Sequence, residues 1–314
     1  MMVSNQLMHS LNIKAHSERI NSICFSDNDK LLASSSKDKT IKVWQQEEGK
    51  LVNTISFQSD YANCIAFSPN SKMLVSAEKD KTIKFWSLQS EKLTYTFTGH
   101  KKTVNSVAIH PNGKLIASAS DDKTVKLWSL KSGKEVCTFT GHKDNVIAVL
   151  FSPDGSVLAS SGDVNDKTVK LWFLSENRSV TLKGHSDWFG GVNSIAFSSD
   201  SKLIASGSND KTIKIWQVDT GKEIATLEGH SDYVTSVAIS ADNKMLASGS
   251  KDKTLKLWKL DTGRLISTIN YDEAIQTVSF GHNGKILATG CQKGSIRLFK
   301  SQSKLNSSLQ ELLN

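Results

Sequence analysis

Proline, cysteine and arginine are scarce in this chain of 314 residues, and long apolar runs are absent. Three Pro, four Cys and a hydrophobic content of 38% are typical of a soluble globular protein. The four Cys lie far apart without a CxxC pair, which argues against a disulfide framework or a metal knot. No apolar run approaches the roughly 20 residues of a membrane span, and residues 1–17 lack the pattern of a signal peptide. We therefore expect a cytoplasmic protein without membrane contact.

The chain does contain an internal repeat. Six Trp each stand six residues after an Asp, at intervals of 42, 42, 44, 44 and 42 residues, and a seventh copy ends at Phe299. A regular period of this length indicates an array of similar structural units. The copies end at Trp44, Trp86, Trp128, Trp172, Trp216, Trp258 and Phe299.

Each copy reads as four short β-strands separated by turn residues, without helical periodicity. In the third copy we expect strands at Val104–Ile109, Lys114–Ser120, Thr124–Trp128 and Glu135–Thr140. A four-stranded sheet of this size cannot bury both faces alone, whereas radial stacking lets neighbouring sheets cover one another. The pattern predicts an all-β, seven-bladed β-propeller of four-stranded antiparallel blades.

The last copy lacks an outer strand of its own. Residues Gln6–Ile13 align with the outer strands of other copies, so we expect this N-terminal strand to join the C-terminal blade and close the propeller. Residues 1–300 would then form one domain. In the polar tail at 301–314, Leu305, Leu309, Leu312 and Leu313 form one apolar stripe that would permit a short helix. We expect this tail to be frayed or packed on the surface rather than to be a dedicated binding helix.

Ser, His and Asp accompany the Trp in most copies, a combination that suggests a hydrolase triad. The repetition argues against catalysis, because a catalytic set is needed once and this set recurs five times. With the Trp, these residues resemble the signature of the WD-repeat β-propeller family over about residues 6–300. The near-identity of the copies is similar to bacterial, especially cyanobacterial, arrays of this family.

The resemblance implies a structural tetrad, in which a loop His bonds the strand Ser and the turn Asp, and the Ser bonds the Trp indole. Linked hydrogen bonds of this kind would satisfy buried polar groups. Copy two has Phe57 and Gln58 instead of Gly-His, and copy seven has Tyr271, Thr289, Lys293 and Phe299, so its tetrad is essentially missing. We expect copy seven to be the weakest blade. The tetrad residues are His16, Ser34, Asp38 and Trp44; Ser76, Asp80 and Trp86; His100, Ser118, Asp122 and Trp128; His142, Ser160, Asp166 and Trp172; His185, Ser206, Asp210 and Trp216; and His230, Ser248, Asp252 and Trp258.

We expect a specific binding site where the copies depart from the repeat. Copy four lengthens its second turn by two residues and copy five lengthens its leading loop by three, and the fold would bring both to one rim, the top face. An aromatic pair on the longer loop resembles an interface anchor, although it could instead plug the blade junction. The candidate partner-binding residues are Trp188, Phe189, Asp187, Asp163, Asn165, Tyr61 and Tyr233.

The favoured function is a non-enzymatic scaffold, monomeric by itself, that binds a protein or peptide on the top face. We find no phosphate-binding loop, HExxH motif or Cys/His cluster, so no cofactor, metal or small-molecule substrate is expected. A net charge of +8 leaves nucleic-acid or other polyanion binding through a Lys-rich rim as an alternative. Most of this charge comes from the repeated DKTxK turns, and there are only four Arg. An enzyme using the central channel is the third possibility, disfavoured because the first strands offer small neutral residues.

Overall fold

The alternation of apolar and polar residues in each copy produces four antiparallel strands, and the seven copies produce seven four-stranded sheets. The computed structural model describes residues 9–57, 60–176, 178–186 and 190–300, none of which is helical. The first strands of neighbouring sheets contact one another around the whole ring, so they surround a central channel. The predicted fold class, a seven-bladed β-propeller, is confirmed.

The strands occupy equivalent places in every blade. The innermost strands are β2 (Ile20–Phe25), β6 (Ala62–Phe67), β10 (Val104–Ile109), β14 (Val146–Phe151), β18 (Val192–Phe197), β22 (Val234–Ile239) and β26 (Ile275–Phe280). The second strands are β3 (Leu31–Ser36), β7 (Met73–Glu78), β11 (Leu115–Ser120), β15 (Val157–Gly162), β19 (Leu203–Ser208), β23 (Met245–Ser250) and β27 (Ile286–Cys291). The third strands are β4 (Thr40–Gln45), β8 (Ile83–Ser87), β12 (Val125–Ser129), β16 (Thr168–Phe173), β20 (Ile213–Gln217), β24 (Thr254–Lys259) and β28 (Ser295–Lys300). The outer strands are β5 (Lys50–Ser56), β9 (Leu93–Phe97), β13 (Glu135–Phe139), β17 (Arg178–Lys183), β21 (Glu223–Leu227), β25 (Leu265–Asn270) and, from the N-terminal side, β1 (His9–Lys14).

The seventh blade is closed by strands from both ends of the described chain. Strand β1 pairs antiparallel with β28, with His9 opposite Lys300 and Lys14 opposite Ser295. The expected closing strand at Gln6–Ile13 is therefore found at His9–Lys14, and residues 6–8 lie outside the described residues. Backbone amides of Ala15 and His16 both bond the Gly294 carbonyl, which fixes the chain as it enters blade one.

The apolar core lies between the blades. Val75 and Phe85 of blade two, for example, pack with Val107 and Trp128 of blade three in one buried cluster. Each sheet thus buries its faces against its neighbours, as radial stacking requires. This packing holds the loops of one rim in fixed places around the channel.

Candidate functional site

The third copy shows how the repeated His, Ser, Asp and Trp are arranged. His100 lies with Nε2 at 2.7 Å from the Ser118 Oγ and Nδ1 at 2.8 Å from the Asp122 Oδ2. Trp128 donates its indole N–H to the same Ser118 Oγ over 2.8 Å. Thr124 bonds Asp122 through its backbone N–H and its hydroxyl, so the Asp-Lys-Thr turn holds the carboxylate in place.

Four further copies have the same arrangement. His–Asp distances are 2.7–3.1 Å, His–Ser distances 2.7–2.8 Å and Trp–Ser distances 2.8–3.0 Å over these copies and the third. These sets are His16, Ser34, Asp38 and Trp44; His142, Ser160, Asp166 and Trp172; His185, Ser206, Asp210 and Trp216; and His230, Ser248, Asp252 and Trp258.

The electrostatics of the third copy favour a neutral His100 and an ionised Asp122. Burial lowers the pKa of His100, against the raising effect of Asp122. Burial alone would raise the pKa of Asp122, but hydrogen bonds from Thr124, the Lys101 amide and His100 outweigh it and lower this pKa to about 2. Each polar atom of the set thereby has a partner at neutral pH.

The Ser in these sets is unsuited to act as a nucleophile. The residue is 0% exposed in all five copies, so no substrate can reach its Oγ. It also accepts a hydrogen bond from the Trp indole, which occupies part of its acceptor capacity. The distances resemble those of a hydrolase triad, but the arrangement stabilises each blade internally.

Copy two replaces the His by a carboxyl group from another position. Ser76 accepts the Trp86 indole N–H over 2.9 Å and donates to the Glu78 Oε1 over 2.5 Å. Asp80, which has no His to bind, accepts from the Lys84 ammonium over 2.7 Å. Glu78 is 1% exposed. Sequence reasoning missed it, although Glu stands where other copies have Ser36, Ser120, Ser208 and Ser250.

Copy seven has a substitute network where the sequence indicated an essentially missing tetrad. The Tyr271 hydroxyl lies 2.9 Å from the Thr289 Oγ1, in the places of the His and the Ser. Arg297 stacks on the Tyr271 ring at 4.2 Å. The buried Glu273 accepts hydrogen bonds from the Lys293 amide and the Ser295 hydroxyl, and so takes the role of the turn Asp. Copy seven thus lacks the tetrad, as the sequence indicated, but Tyr271, Thr289 and Glu273 form other polar contacts in its place.

The top face carries a ring of paired residues that we call the mouth ring. In every blade, the residue before the innermost strand accepts a backbone hydrogen bond of 2.9–3.4 Å from the residue that follows the second strand. Because the innermost strands line the channel, these pairs surround its opening. The pairs are Arg19–Lys37, Tyr61–Lys79, Thr103–Asp121, Asn145–Asp163, Gly191–Asn209, Tyr233–Lys251 and Ala274–Gln292.

At the mouth ring, the channel contains a cavity of about 500 Å³ lined by polar and apolar residues of the innermost strands and by four residues of the ring. Four Asn at the same strand position donate from Nδ2 to a backbone carbonyl of the next blade over 2.8–3.0 Å. The charged residues that line the cavity are Arg19 and Lys251. Sequence reasoning named the neutral strand residues but missed both cations, because each lies just outside a strand. The four amides are Asn21, Asn63, Asn105 and Asn193.

The candidate partner-binding residues are divided between described and undescribed parts of the chain. Tyr61 and Tyr233 belong to the mouth ring; two lysine ammonium groups lie over the Tyr61 ring and one lies over the Tyr233 ring. Asp163 also belongs to the ring, while Asn165 donates from Nδ2 to the half-buried Asp144 carboxylate over 2.8 Å. The predicted anchors Asp187, Trp188 and Phe189 lie outside the described residues.

The two irregular segments of copies four and five meet. A Cβ on Gly191, in the leading loop of copy five, would lie 2.8 Å from the Asp163 Oδ1 and 3.0 Å from the Val164 amide. The lengthened turn of copy four therefore packs directly against the loop of copy five, at the blade junction.

Among the described residues, no group of three or more His, Cys, Asp or Glu is arranged to hold a metal ion. The same part of the chain contains no helix long and apolar enough to cross a membrane.

Comparison with known proteins agrees with this geometry. The family model of the WDR3 second beta-propeller domain matches residues 19–305. The chain belongs to this family of WD-repeat propellers. A probable E3 ubiquitin ligase complex SCF subunit, scon-2 of Neurospora crassa, is 43% identical over 61 residues, which are 19% of this chain and 9% of the relative.

Two further relatives match over similarly short segments of this WD-repeat chain. The nuclear distribution protein PAC1 of Gibberella zeae is 39% identical over 72 residues, 22% of this chain and 15% of its own. The autophagic-related protein 16.2 of Caenorhabditis elegans is 32% identical over 73 residues, 23% of this chain and 14% of its own. The matched segments thus span 9–15% of the length of these relatives.

Proposed function

We propose that this WD-repeat propeller is a non-enzymatic scaffold that binds a protein or peptide on its top face. The observation that carries the proposal is the mouth ring, whose side chains differ from blade to blade while its backbone hydrogen bonds are the same in all seven. A surface that varies on a constant framework suits recognition of a specific partner. The repeated His, Ser, Asp and Trp, by contrast, form the hydrogen bonds inside each blade.

Two further observations support a binding role. The most conspicuous reactive set, Ser with His and Asp, is buried and fully hydrogen-bonded in five copies. One relative, scon-2, is named as a subunit of a ligase complex. Assembly with other polypeptides is therefore proposed for this chain.

A cytoplasmic location and a monomeric state of the propeller by itself are also proposed. The single domain over residues 1–300 and the similarity to bacterial arrays stay predictions; the relatives compared come from fungi and a nematode.

Site-specific photo-crosslinking would test this function. A p-benzoylphenylalanine placed at Tyr61, on the mouth ring, is expected to crosslink a protein partner in an extract of the source cells. The matched control is the same group at Tyr95, an outer-strand residue that is 59% exposed. Equal crosslinking from both positions, or crosslinking from Tyr95 alone, would show that the partner does not bind specifically at the mouth ring.

The junction of blades four and five is the finer candidate within this surface. If Trp188 and Phe189 form the anchor, the double change Trp188→Ala and Phe189→Ala is expected to abolish the crosslink from Tyr61. Retention of the full crosslink would assign recognition to the mouth ring without the longer loop.

A further inference from the structure

The side chains of the mouth ring divide by charge around the channel. Blades three and four contribute Asp121 and Asp163, whereas blades six, one and two contribute only cations and tyrosines. Blades five and seven contribute no charged side chain to the ring. We call the cationic part the basic arc; it comprises Arg19, Lys37, Tyr61, Lys79, Tyr233 and Lys251.

Arg19 is the cation of the basic arc that directly precedes an innermost strand, β2. It is half-buried and lines the cavity. Its Nε atom is buried without a hydrogen-bond partner, and none of the described carboxylates forms an ion pair with it. Burial disfavours the charged form of this guanidinium and so lowers the pKa of Arg19. A half-buried guanidinium at the wall of a cavity, without an ion-pair partner among the described carboxylates, is stabilised by an anion that accepts hydrogen bonds from it.

The other cations of the arc are held by tyrosine rings. The Lys37 and Lys79 ammonium groups lie 5.9 and 5.3 Å from the centroid of the Tyr61 ring. The Lys251 ammonium lies 4.5 Å from the centroid of the Tyr233 ring and also lines the cavity. Cation–π contact keeps these groups near the channel opening. One of them, Lys79, is partly neutralised by Asp60 at 3.6 Å.

We propose that the basic arc binds an anionic side chain of a peptide partner, inserted from the top face into the channel mouth. This inference rests on the proposed function and names its ligand chemistry. Arg19 and Lys251 would contact the anion, because they are the charged residues that line the cavity. Asp121 and Asp163 repel an anion from the opposite side of the mouth, so the charge distribution also orients the peptide.

The shape of the site favours a peptide over a nucleic acid. A cavity of about 500 Å³ is of the size that encloses a small ligand or a few side chains. A nucleic acid also requires a continuous cationic path for its successive phosphates, whereas Asp121 and Asp163 interrupt the ring. The anion is a carboxylate of Asp or Glu, or a phosphoryl group on a modified residue, and the test separates these two.

Display of a random twelve-residue peptide library against the intact protein tests the proposal without a known partner. Acidic residues are expected to be enriched in the selected peptides. A fluorescein-labelled peptide carrying the enriched sequence should then bind Arg19→Gln about tenfold more weakly, and Arg19→Lys with an intermediate loss. The matched control is Lys211→Gln, an exposed lysine outside the mouth ring, which should bind as the unmodified protein does. Melting temperatures of all variants establish that they are folded.

Resynthesis of the enriched peptide identifies the anion. Replacement of its Glu or Asp by Gln or Asn should abolish binding, and replacement by phosphoserine should strengthen binding if the site prefers a phosphoryl group. Stronger binding of a labelled twenty-nucleotide single-stranded DNA than of the peptide at physiological salt would overturn the proposal in favour of a nucleic acid.

The failures of the two proposals are distinguishable. Selected peptides without acidic residues, whose binding is lost in Tyr61→Ala plus Tyr233→Ala, would refute the anion site and leave the top-face scaffold intact. Binding unchanged in both the Arg19 and the tyrosine variants, or no enrichment at all, would refute both.

Discussion

The Ser76 hydroxyl donates a hydrogen bond of 2.5 Å to Glu78, so a buried carboxyl group takes the place that a histidine has in five other blades. Burial raises the pKa of Glu78 to about 7, against the lowering effects of Ser76 and Lys84. A protonated Glu78 therefore persists in the folded protein at pH values where an unfolded chain has lost that proton.

The pH dependence of stability should reveal this group. Because the folded-state pKa lies above the ordinary value of 4.5, the stability contributed by Glu78 is full at acid pH and is lost as pH rises from about 4.5 to 7. The variant Glu78→Gln lacks this loss. The melting temperature of Glu78→Gln minus that of the unmodified protein is therefore expected to increase by about 2 °C or more when the pH is raised from 5 to 8. The exposed Glu176→Gln serves as the control, and a pH-independent difference for Glu78→Gln would contradict the assignment.

A single hydroxyl supports two buried groups in each tetrad. Ser118→Ala removes the partner of the Trp128 indole N–H and of the His100 Nε2 at once. Each buried polar group left without a partner costs about 1–3 kcal/mol, so we expect a clear fall in the urea midpoint of unfolding. The exposed Ser132→Ala is the matched change. Similar midpoints for these two variants would mean that the tetrad contributes nothing to stability.

The junction of blades seven and one depends on a glycine. Gly294 has a φ of +85°, and a Cβ there would lie 2.2 Å from the His16 carbonyl oxygen. Gly294→Ala should therefore lower the melting temperature both by backbone strain and by displacing the segment that enters blade one. Gly113→Ala separates the two effects, because Gly113 has a φ of +69° but no atom within 3.8 Å of the added Cβ. Equal losses for the two variants would show that the clash is relieved without cost.

Blade seven should open more readily than the other blades. Its outer strand β1 is joined to β28 through hydrogen bonds and side-chain packing alone, without the connecting turn that other outer strands have. In hydrogen-exchange mass spectrometry, amides of Ile275–Lys300 are expected to exchange faster than those of Val104–Phe139 in blade three. Greater protection of blade seven would show that the Tyr271 network and the closing strand compensate fully.

The repeat made the fold predictable because each copy repeats the same alternation and the same turn residues. Expected strands such as Lys114–Ser120 and Glu135–Thr140 are found at Leu115–Ser120 and Glu135–Phe139. Strand ends are set by the last ladder hydrogen bond, which the pattern of side chains does not define. The closing strand could be placed for the same reason, since it aligns with the outer strands of other copies.

The candidate site was less predictable because it depends on pairs of positions that come together only in the fold. Arg19 is unremarkable in the sequence, and its place becomes informative once Lys37 and Tyr61 are seen beside it. Glu78 likewise stands two residues after Ser76, a spacing that puts both side chains on one face of the strand. The same spacing in copy one holds Ser36, which bonds the Glu18 carbonyl instead, so spacing alone does not predict the contact. The role of Trp188 rests on the sequence pattern, since that residue lies outside the described part of the chain.

The antiparallel pairing of β1 with β28 also has a mechanical meaning. His9 lies opposite Lys300, so the described chain leaves the propeller from the same end of both strands. A pulling force applied through these two ends would separate the strands one hydrogen bond at a time, because ladder bonds run perpendicular to the strands. Under tension applied through these two ends, the propeller should therefore open first at its closing strand, β1. A force applied between inner blades would have to break several hydrogen bonds at the same time.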